Sequence, residues 1–292
     1  MSANRLALGT AQFGQPYGIA NTSGQVPREM AESILEMAQF AGIDTLDTAV
    51  AYGTSESCLG EFGVRDFKVV TKLPPIPAEC GNALVWVTQR VQESCQRLGA
   101  DTLYGLLLHR SEDLAGPHER AIADAFSILK RKGVVQKTGI SIYSPDELEK
   151  IVSVHPIDLV QAPLNLVDRR LVATGWLQRL HDAGIEVHTR SAFLQGLLLM
   201  APERVPGSFS RWSDLLRCWH DFLRESRLAP GLACLSYPLS LSQVSRVVVG
   251  VDNAEQFAEL IAIADNPLLP FEWPNVDSFD EDLVNPSKWS LN

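Results

Sequence analysis

The sequence repeats one local pattern along most of its length: a short apolar segment, a polar loop, and then an amphipathic segment with helical spacing. Eight such alternations occupy roughly 260 residues, which is the size and rhythm of a (β/α)8 barrel. A doubly wound sheet shares the alternation but rarely carries eight units, and no GxGxxG follows the first predicted strand. The sequence therefore predicts an α/β fold of the (β/α)8 TIM barrel class, as a single domain.

The predicted elements follow from the spacing of apolar residues and from helix start and stop signals. Strands are predicted at 6–9, 43–47, 67–72, 102–109, to about 141, 158–161, 185–190 and 244–250. One helix is predicted to contain Leu171, Trp176, Leu177 and Leu180. Ser144-Pro145-Asp146-Glu147 is interpreted as a capping box that starts another helix. Residues 1–265 are predicted to form the barrel, and residues 266–292, with prolines at 267, 270, 274 and 286, an irregular tail on its surface.

Charge and composition exclude several classes of partner. The formal net charge of -10 argues against nucleic acid or an anionic membrane as the main partner. No stretch approaches the ~18 apolar residues of a membrane-spanning helix, and the N-terminus lacks the apolar core of a signal peptide. Five cysteines, an odd number without a CxxC motif, favour reduced thiols and a cytoplasmic location. The sequence does not indicate the oligomeric state.

Three ionisable side chains stand at the ends of successive predicted strands. Asp47 ends the second strand, Lys72 the third and His109 the fourth, and Tyr52 follows in the loop beyond Asp47. Each residue alone has a structural explanation, such as a loop cap, a packing aromatic or a core histidine. Because a barrel builds its active site at the carboxyl ends of its strands, their joint placement predicts a catalytic site.

The four residue types suit the reduction of a carbonyl group, which needs a hydride donor and an acid for the oxygen. A free tyrosine, with a pKa of about 10, is a weak acid at neutral pH. We expect Lys72 to lower the pKa of Tyr52, and Asp47 to hold the lysine charged and in place. His109 is expected to hydrogen-bond the carbonyl oxygen or to pass a proton.

The stretch Leu46-Asp47-Thr48-Ala49 to Tyr52-Gly53, followed by Val70-Thr71-Lys72 and Leu107-Leu108-His109, resembles the motif of the aldo-keto reductase family. The resemblance implies a tetrad of Asp47, Tyr52, Lys72 and His109, a small-molecule carbonyl substrate, and an NAD(P)H cofactor extended across the barrel mouth. It also implies a set of cofactor-binding residues. These are Gly9, Thr10, Asp47, Ser141, Gln161, Arg190, Ser191, Leu194, Gln195, Gly196, Gly250, Asp252 and Gln256.

The cofactor segments depart from the family pattern. Ile142 stands where the family usually has asparagine, and Arg190 replaces the aromatic residue that commonly stacks on the nicotinamide. Asp252 occupies a position where NADPH-selective members tend to carry a cation. A carboxylate suits a ribose 2′-OH better than a 2′-phosphate, so NADH is expected to bind at least as well as NADPH. Arg190 or Arg246 would restore phosphate binding if either reaches the site.

Three alternatives remain open at this level. A lyase could use Lys72 to form a Schiff base with a carbonyl substrate, but this leaves Tyr52 and Asp47 unexplained. A metal-dependent hydrolase needs clustered ligands, and the six histidines show no ligand pairing at strand ends, so no metal is predicted. A cofactor-sensing regulatory protein on the same barrel is distinguished from the enzyme by turnover with simple aldehydes. Tyr17, a loop near Trp86 and the loop after the seventh strand are candidates for the pocket lining.

Overall fold

Eight parallel strands form a closed barrel in chain order within the residues that the structure, a computed structural model, describes, 3–269 and 271–289. The strands are β1 Leu6–Gly9, β2 Thr45–Asp47, β3 Lys68–Leu73, β4 Leu103–Leu108, β5 Val135–Ser141, β6 Leu159–Pro163, β7 Glu186–Arg190 and β8 Arg246–Gly250. Pairing of β1 with β8, with Gly9 opposite Gly250, closes the ring. The predicted (β/α)8 barrel is confirmed.

Helices connect the strands and cover the outside of the barrel. They are α1 Ala11–Gly14, α2 Arg28–Phe40, α3 Ser55–Phe62, α4 Ala83–Leu98, α5 Glu119–Arg131, α6 Asp146–Ile151, α7 Arg170–Ala173, α8 Trp176–Asp182, α9 Ser213–Ser226, α10 Pro230–Ser240, α11 Ala254–Asp265 and α12 Glu281–Val284. Short 3-10 segments span Ala3–Arg5, Ser111–Ala115, Leu194–Leu199, Pro202–Arg204, Gly207–Trp212 and Pro286–Lys288.

Local sequence explains where several helices begin and end. The side chain of Asn82 accepts a hydrogen bond from the Val85 N–H at the start of α4, and Gly99 ends that helix in a left-handed conformation. Asn253 caps α11 in the same way through the Gln256 N–H. At α6, Glu147 accepts from the backbone N–H groups of Tyr143 and Ser144, which is half of the predicted capping box.

The helix predicted to run through Leu171, Trp176, Leu177 and Leu180 is wrong as a single element. It consists of α7 and α8, which are separated at Gly175. That glycine has a φ of 76°, a left-handed conformation that ends α7, and the four apolar residues nevertheless all face the core.

The segment after α11 crosses the barrel face and is held by hydrogen bonds to the loops there. Arg169 donates to the carbonyl of Pro274, and Ser278 donates its N–H to Val167 O. This segment contains α12 and one 3-10 turn and is otherwise irregular. Pro270 and residues 290–292 lie outside the described residues, and the predicted boundary at 265 stays a prediction.

The barrel interior is filled, so the site lies at one end of it. Val70, Leu107 and Leu159, all fully buried, form an apolar cluster across the barrel. At the amino-terminal end, Asp44 pairs with Lys68 and Arg246. Residues two positions after the three of the apolar cluster, namely Lys72, His109 and Gln161, lie on the same faces of their strands. They therefore lie at the carboxyl end of the barrel. None of the described helices is both long and apolar enough to cross a membrane.

Candidate active site

The barrel brings the four predicted catalytic residues to its carboxyl end. Asp47 is the last residue of β2, Lys72 lies at the end of β3, and His109 directly follows β4. Tyr52 lies in the loop between β2 and α3. In the register of the parallel strands, Asp47 lies opposite Val70 and Lys72 lies opposite Leu107. Lys72 is therefore two residues further along the barrel than Asp47, and His109 is two residues beyond the partner of Lys72.

Asp47 and Lys72 form a buried ion pair. Lys72 Nζ donates to both carboxylate oxygens of Asp47 at 2.8 Å and to the carbonyl of Thr48 at 2.9 Å. The two side chains are only 1% and 4% exposed for Lys72 and Asp47. Burial lowers the pKa of Lys72, and the carboxylate of Asp47 opposes that shift. A charge removed from water this completely must be paired and hydrogen-bonded, and here the lysine uses all three of its donors.

Further hydrogen bonds hold Asp47 in place. Gln161 Nε2 donates to Asp47 Oδ1 at 2.6 Å, and the N–H and hydroxyl of Thr10 both donate to Asp47 O, at 2.9 and 3.0 Å. Ser55 Oγ in turn donates to Thr10. The ion pair therefore sits in a rigid network that joins β1, β2, β3 and β6.

A close backbone approach positions Tyr52. A Cβ placed on Gly14 would lie 1.7 Å from Tyr52 O and 2.5 Å from Ser55 N, so only glycine permits the two chains to meet. Gly53, with a φ of 55°, is the residue that faces Gly14, and a Cβ placed on Gly53 would lie 2.2 Å from Gly14 O. The loop that carries Tyr52 is thus packed against the end of α1.

The Tyr52 ring lies between the lysine and the histidine. Lys72 Nζ is 5.0 Å from the ring centroid, and the His109 ring is 5.9 Å away and nearly perpendicular to it. The Tyr52 hydroxyl makes no hydrogen bond to any residue in the described part of the chain. It is therefore available to a ligand.

The expectation that Lys72 lowers the pKa of Tyr52 is not met in this arrangement. Burial and the carboxylate of Asp47 raise the pKa of Tyr52, while the charge of Arg190 opposes them. The physical reason is that burial of the phenol, the largest cause, disfavours the charged phenolate, and the nearby Lys72 charge is compensated by the Asp47 carboxylate in contact with it. Tyr52 is accordingly protonated at neutral pH.

His109 is neutral at physiological pH. Burial, with the charges of Lys72 and Arg190, lowers its pKa to about 4 from an ordinary value of 6.5. A neutral imidazole still carries one N–H donor and one acceptor nitrogen, so it can donate to a carbonyl oxygen without holding a charge.

A cavity of roughly 160 Å³ opens above these residues. Its lining consists of Tyr17, Tyr52, His109, Ser141, Tyr143, Gln161, Arg190, Ser191, Gln195, Pro286 and Ser287. Tyr17 and the loop after β7 thus lie where they were expected, whereas Trp86, on α4, is not among these residues. A larger apolar groove between α5 and the segment around His155 lies away from this chemistry.

Sequence reasoning missed Tyr143, Pro286 and Ser287 as lining residues. Tyr143 lies two positions after Ser141, so it could have been predicted from the sequence as a second lining residue at the end of β5. Nothing local to Pro286 and Ser287 indicates that the chain returns to the barrel mouth. Asn285 fixes their turn by accepting hydrogen bonds from the N–H and hydroxyl of Ser287.

The residues predicted to bind a cofactor fall into three groups. Ser141, Gln161, Arg190, Ser191 and Gln195 line the cavity itself. Gly9 and Gly250 lie opposite each other at the paired ends of β1 and β8, and Thr10 directly follows Gly9. A Cβ on Gly250 would approach the Gln12 side chain to 2.6 Å. The loop after β7, which carries Ser191 and Gln195 of the first group, also contains Leu194, whose side chain is buried, and Gly196.

The third group lies further along, at the start of α11. Asp252 Oδ1 accepts a hydrogen bond from Asn21 at 2.9 Å, and Gln256 Oε1 accepts the Asp252 N–H. Arg246, the other candidate for a phosphate ligand, lies at the opposite end of β8 and pairs there with Asp44. Because Arg246 and Gly250 are the first and last residues of β8, with three residues of strand between them, Arg246 does not reach the site.

The loop after β7 has the features of an anion-binding segment. Ser191, Leu194, Gln195 and Gly196 all have positive φ values, of 63°, 47°, 51° and 93°. Such conformations are costly for residues with a side chain and concentrate at functional sites. The N–H groups of Ala192, Phe193 and Gln195 have no acceptor among the described residues. Unpartnered N–H groups on a left-handed turn suit a phosphate, so the chain fits the diphosphate of a dinucleotide here.

Among the described residues, no group of three or more His, Cys, Asp or Glu side chains is placed to hold a metal ion. A barrel with a buried lysine–carboxylate pair, a neutral histidine and a tyrosine whose hydroxyl has no partner among the described residues, all around one cavity, is the arrangement expected of a carbonyl oxidoreductase.

Comparison with known proteins gives the family. The family model of the aldo/keto reductase family matches residues 5–281. The chain belongs to that family and is an NAD(P)-dependent oxidoreductase of carbonyl substrates.

Individual relatives are distant. The chain is 28% identical over 218 residues to oxidoreductase sirO of Leptosphaeria maculans, a match that covers 71% of this chain and 65% of that protein. It is 27% identical over 281 residues to the uncharacterized oxidoreductase YqkF of Bacillus subtilis, covering 88% and 90%. The holo form of aldo-keto reductase AKR11C1 from Bacillus halodurans superimposes with a TM-score of 0.71 at 23% identity, over 90% of this chain and 88% of that one. That likeness concerns the fold.

Proposed function

We propose that the protein reduces an aldehyde, ketone or sugar-type carbonyl, with Tyr52 as the general acid, and that the same residues support the reverse oxidation of an alcohol. One observation carries the proposal. The Tyr52 hydroxyl has no hydrogen-bond partner in the described chain and faces a cavity beside the neutral His109, above the Lys72–Asp47 pair.

The cofactor would lie along the mouth of the barrel. Ser141, Gln161 and Arg190 would surround its nicotinamide end, the loop Ser191–Gly196 its diphosphate, and Gly250, Asp252 and Gln256 its adenosine end. When bound, it supplies the hydride that reduces the carbonyl carbon. Everything else in the reaction falls to side chains of this chain.

Tyr52 supplies the proton. Its raised pKa keeps the phenol protonated until negative charge builds on the carbonyl oxygen, and His109 donates a second hydrogen bond to that oxygen. As the proton leaves, the phenolate faces the charges of Lys72 and Arg190. Asp47 holds the Lys72 ammonium at a fixed distance from the phenol. Asp47 is itself held in place by the hydrogen bonds that Gln161 and Thr10 donate to it.

We also propose that NADH binds at least as well as NADPH. At the predicted adenosine end, Asp252 presents a carboxylate and already accepts a hydrogen bond from Asn21. The N–H groups of Asp252 and Gln256 are satisfied within the loop, which leaves fewer donors for a 2′-phosphate. The ribose 2′-OH of NADH can instead donate to a carboxylate.

A Schiff-base lyase is disfavoured, because all three Lys72 donors are used and the amine is 1% exposed. A regulatory, cofactor-sensing role remains as the second candidate. The five cysteines are all unpaired, which supports the predicted cytoplasmic location.

Turnover separates the two candidates. Purified protein is given NADH or NADPH with a panel of aldehydes, ketones and sugars, and cofactor oxidation is followed by absorbance. We expect turnover with at least one class of carbonyl. Cofactor binding by fluorescence titration without turnover of any carbonyl would favour the regulatory role.

A further inference from the structure

Arg190 is a cation in the cavity, and no carboxylate of the described residues pairs with it. It lines the cavity together with Tyr52 and His109, and it forms no ion pair with any residue in the described ranges. The other cation of the site, Lys72, is neutralised by Asp47 at 2.8 Å. The remaining lining residues are tyrosines, serines, glutamines, a proline and the neutral His109. The cavity of a chain with a net charge of -10 therefore carries a local positive charge.

The guanidinium is held in a fixed orientation by the protein. Nη2 donates to the carbonyl of Ile142 at 2.9 Å, Nη1 donates to Ser191 Oγ at 3.2 Å, and the Tyr143 ring centroid lies 4.7 Å from its central carbon. An arginine has five N–H donors. Two are used, so three remain without an acceptor among the described residues.

A half-buried cation with unused donors is costly unless a ligand compensates it. Backbone N–H groups of Ala192, Phe193 and Gln195 already provide donors for a cofactor phosphate further along the loop. Arg190 precedes them in the chain, at the end of β7, and its charge acts on the phenol of Tyr52 and on His109. Its free edge thus belongs to the part of the cavity where the carbonyl group reacts.

We propose that Arg190 determines substrate specificity, and that the site prefers carbonyl compounds that carry an oxyanion, a carboxylate or a phosphate, which the free edge of this guanidinium binds. The proposal rests on the carbonyl reduction proposed above. A planar guanidinium matches either oxyanion with two parallel hydrogen bonds, which a lysine cannot reproduce.

Matched substrate pairs test the proposal kinetically. The carboxylate arm compares pyruvate with pyruvamide and 4-formylbenzoate with 4-formylbenzamide, and the phosphate arm compares glyceraldehyde 3-phosphate with glyceraldehyde. In at least one arm we expect the anionic member to have a kcat/KM roughly 10- to 100-fold higher, mainly through KM, as is typical of one hydrogen bond to a charged group. The arm that responds identifies the oxyanion.

Arg190→Gln should bring this ratio to about 1, and Arg190→Lys should leave an intermediate ratio. Arg110→Gln is the matched control, because Arg110 is exposed, adjoins His109 and does not line the cavity. It removes the same unit charge from the neighbourhood, and the ratio should change by less than about twofold since exposed charges are screened.

Binding gives a second measurement that needs no turnover. Isothermal titration of the protein, saturated with NAD+ so that the loop after β7 is occupied, with benzoate, benzamide and inorganic phosphate should give tighter binding of an anion than of benzamide in the original protein. In Arg190→Gln that difference should disappear. Circular dichroism of the variants verifies that they are folded.

The outcomes are distinguishable. Equal kcat/KM for the charged and neutral members in every arm overturns the proposal and leaves carbonyl reduction intact. If Arg190→Gln weakens cofactor binding but leaves the kcat/KM ratio of charged to neutral substrates unchanged, Arg190 serves the cofactor, and the proposal is overturned as well. Absence of turnover with every carbonyl contradicts the proposed function instead, and equal binding of benzoate, phosphate and benzamide would then reject the oxyanion site as well.

Discussion

Lys72 Nζ lies 5.0 Å from the centroid of the Tyr52 ring but donates its three hydrogen bonds to Asp47 and to the Thr48 carbonyl. The lysine is thus a fixed charge beneath the ring rather than a hydrogen-bond partner of the phenol. The lysine therefore does not occupy the Tyr52 hydroxyl, which is the proposed proton donor. For this reason we expect substitutions at Tyr52 and at Lys72 to have different consequences.

Removal of the phenol hydroxyl should abolish chemistry and spare binding. Tyr52→Phe should lower kcat by a factor on the order of 10² or more, because the proton donor is lost. The dissociation constant of the cofactor, measured by fluorescence titration, should stay nearly unchanged. Carbonyl reduction at the original rate in this variant would rule out Tyr52 as the acid.

Substitution of the lysine should affect stability as well as rate. Lys72→Met leaves the Asp47 carboxylate buried without its partner, which should cost about 3–5 kcal/mol in the free energy of unfolding. The double variant Asp47→Asn, Lys72→Met should recover much of that stability, measured by urea denaturation, without recovering activity. If the single variant were as stable as the original protein, the ion pair would not be the buried contact described here.

The pH dependence of His109 follows from its lowered pKa. The folded protein binds the proton only near pH 4, whereas the unfolded chain binds it near 6.5. Between these values the unfolded state holds more protons, so the contribution of His109 to stability is lost as the pH falls from 6.5 to 4. NMR titration should show one imidazole signal with a pKa of about 4 that disappears in His109→Gln. Titration of that signal near 6.5 would contradict a neutral role set by burial.

Cofactor preference should respond to the charge at Asp252. Asp252→Arg should shift the ratio of dissociation constants toward NADPH by roughly tenfold, or 1.4 kcal/mol, because a cation can meet the 2′-phosphate. Asp252→Asn is the control, since it removes the charge but keeps an oxygen for Asn21. Tenfold tighter binding of NADPH by the original protein would show that the proposed NADH preference is wrong.

The contact between Gly14 and Tyr52 should be essential for activity. In Gly14→Ala the new methyl group would collide with Tyr52 O, so the loop that carries the phenol must move and kcat should fall. Gly81→Ala serves as the control, because nothing lies within 4 Å of a Cβ there. Equal activity of the two variants would mean that the Tyr52 loop tolerates displacement.

The sequence alone determined the barrel fold and the end of the barrel at which the candidate catalytic residues lie. The spacing of apolar residues predicts eight strand–helix units, and strands of a parallel barrel all point the same way. Residues such as Asp47, Lys72 and His109, which follow or end strands, must therefore meet at one mouth. The helix predicted across Gly175 was wrong because apolar spacing continues through a break that only the backbone conformation reveals.

The tertiary structure decided which atoms these residues contact. Gln161 reaches Asp47 across 114 residues of chain, and Ser287 reaches the cavity of Tyr52 from the far end of the sequence. The lack of an ion-pair partner for Arg190 among the described residues and the raised pKa of Tyr52 likewise depend on neighbours from different strands. Side-chain rotamers and burial are set by packing between distant segments, and local sequence patterns carry no information about that packing.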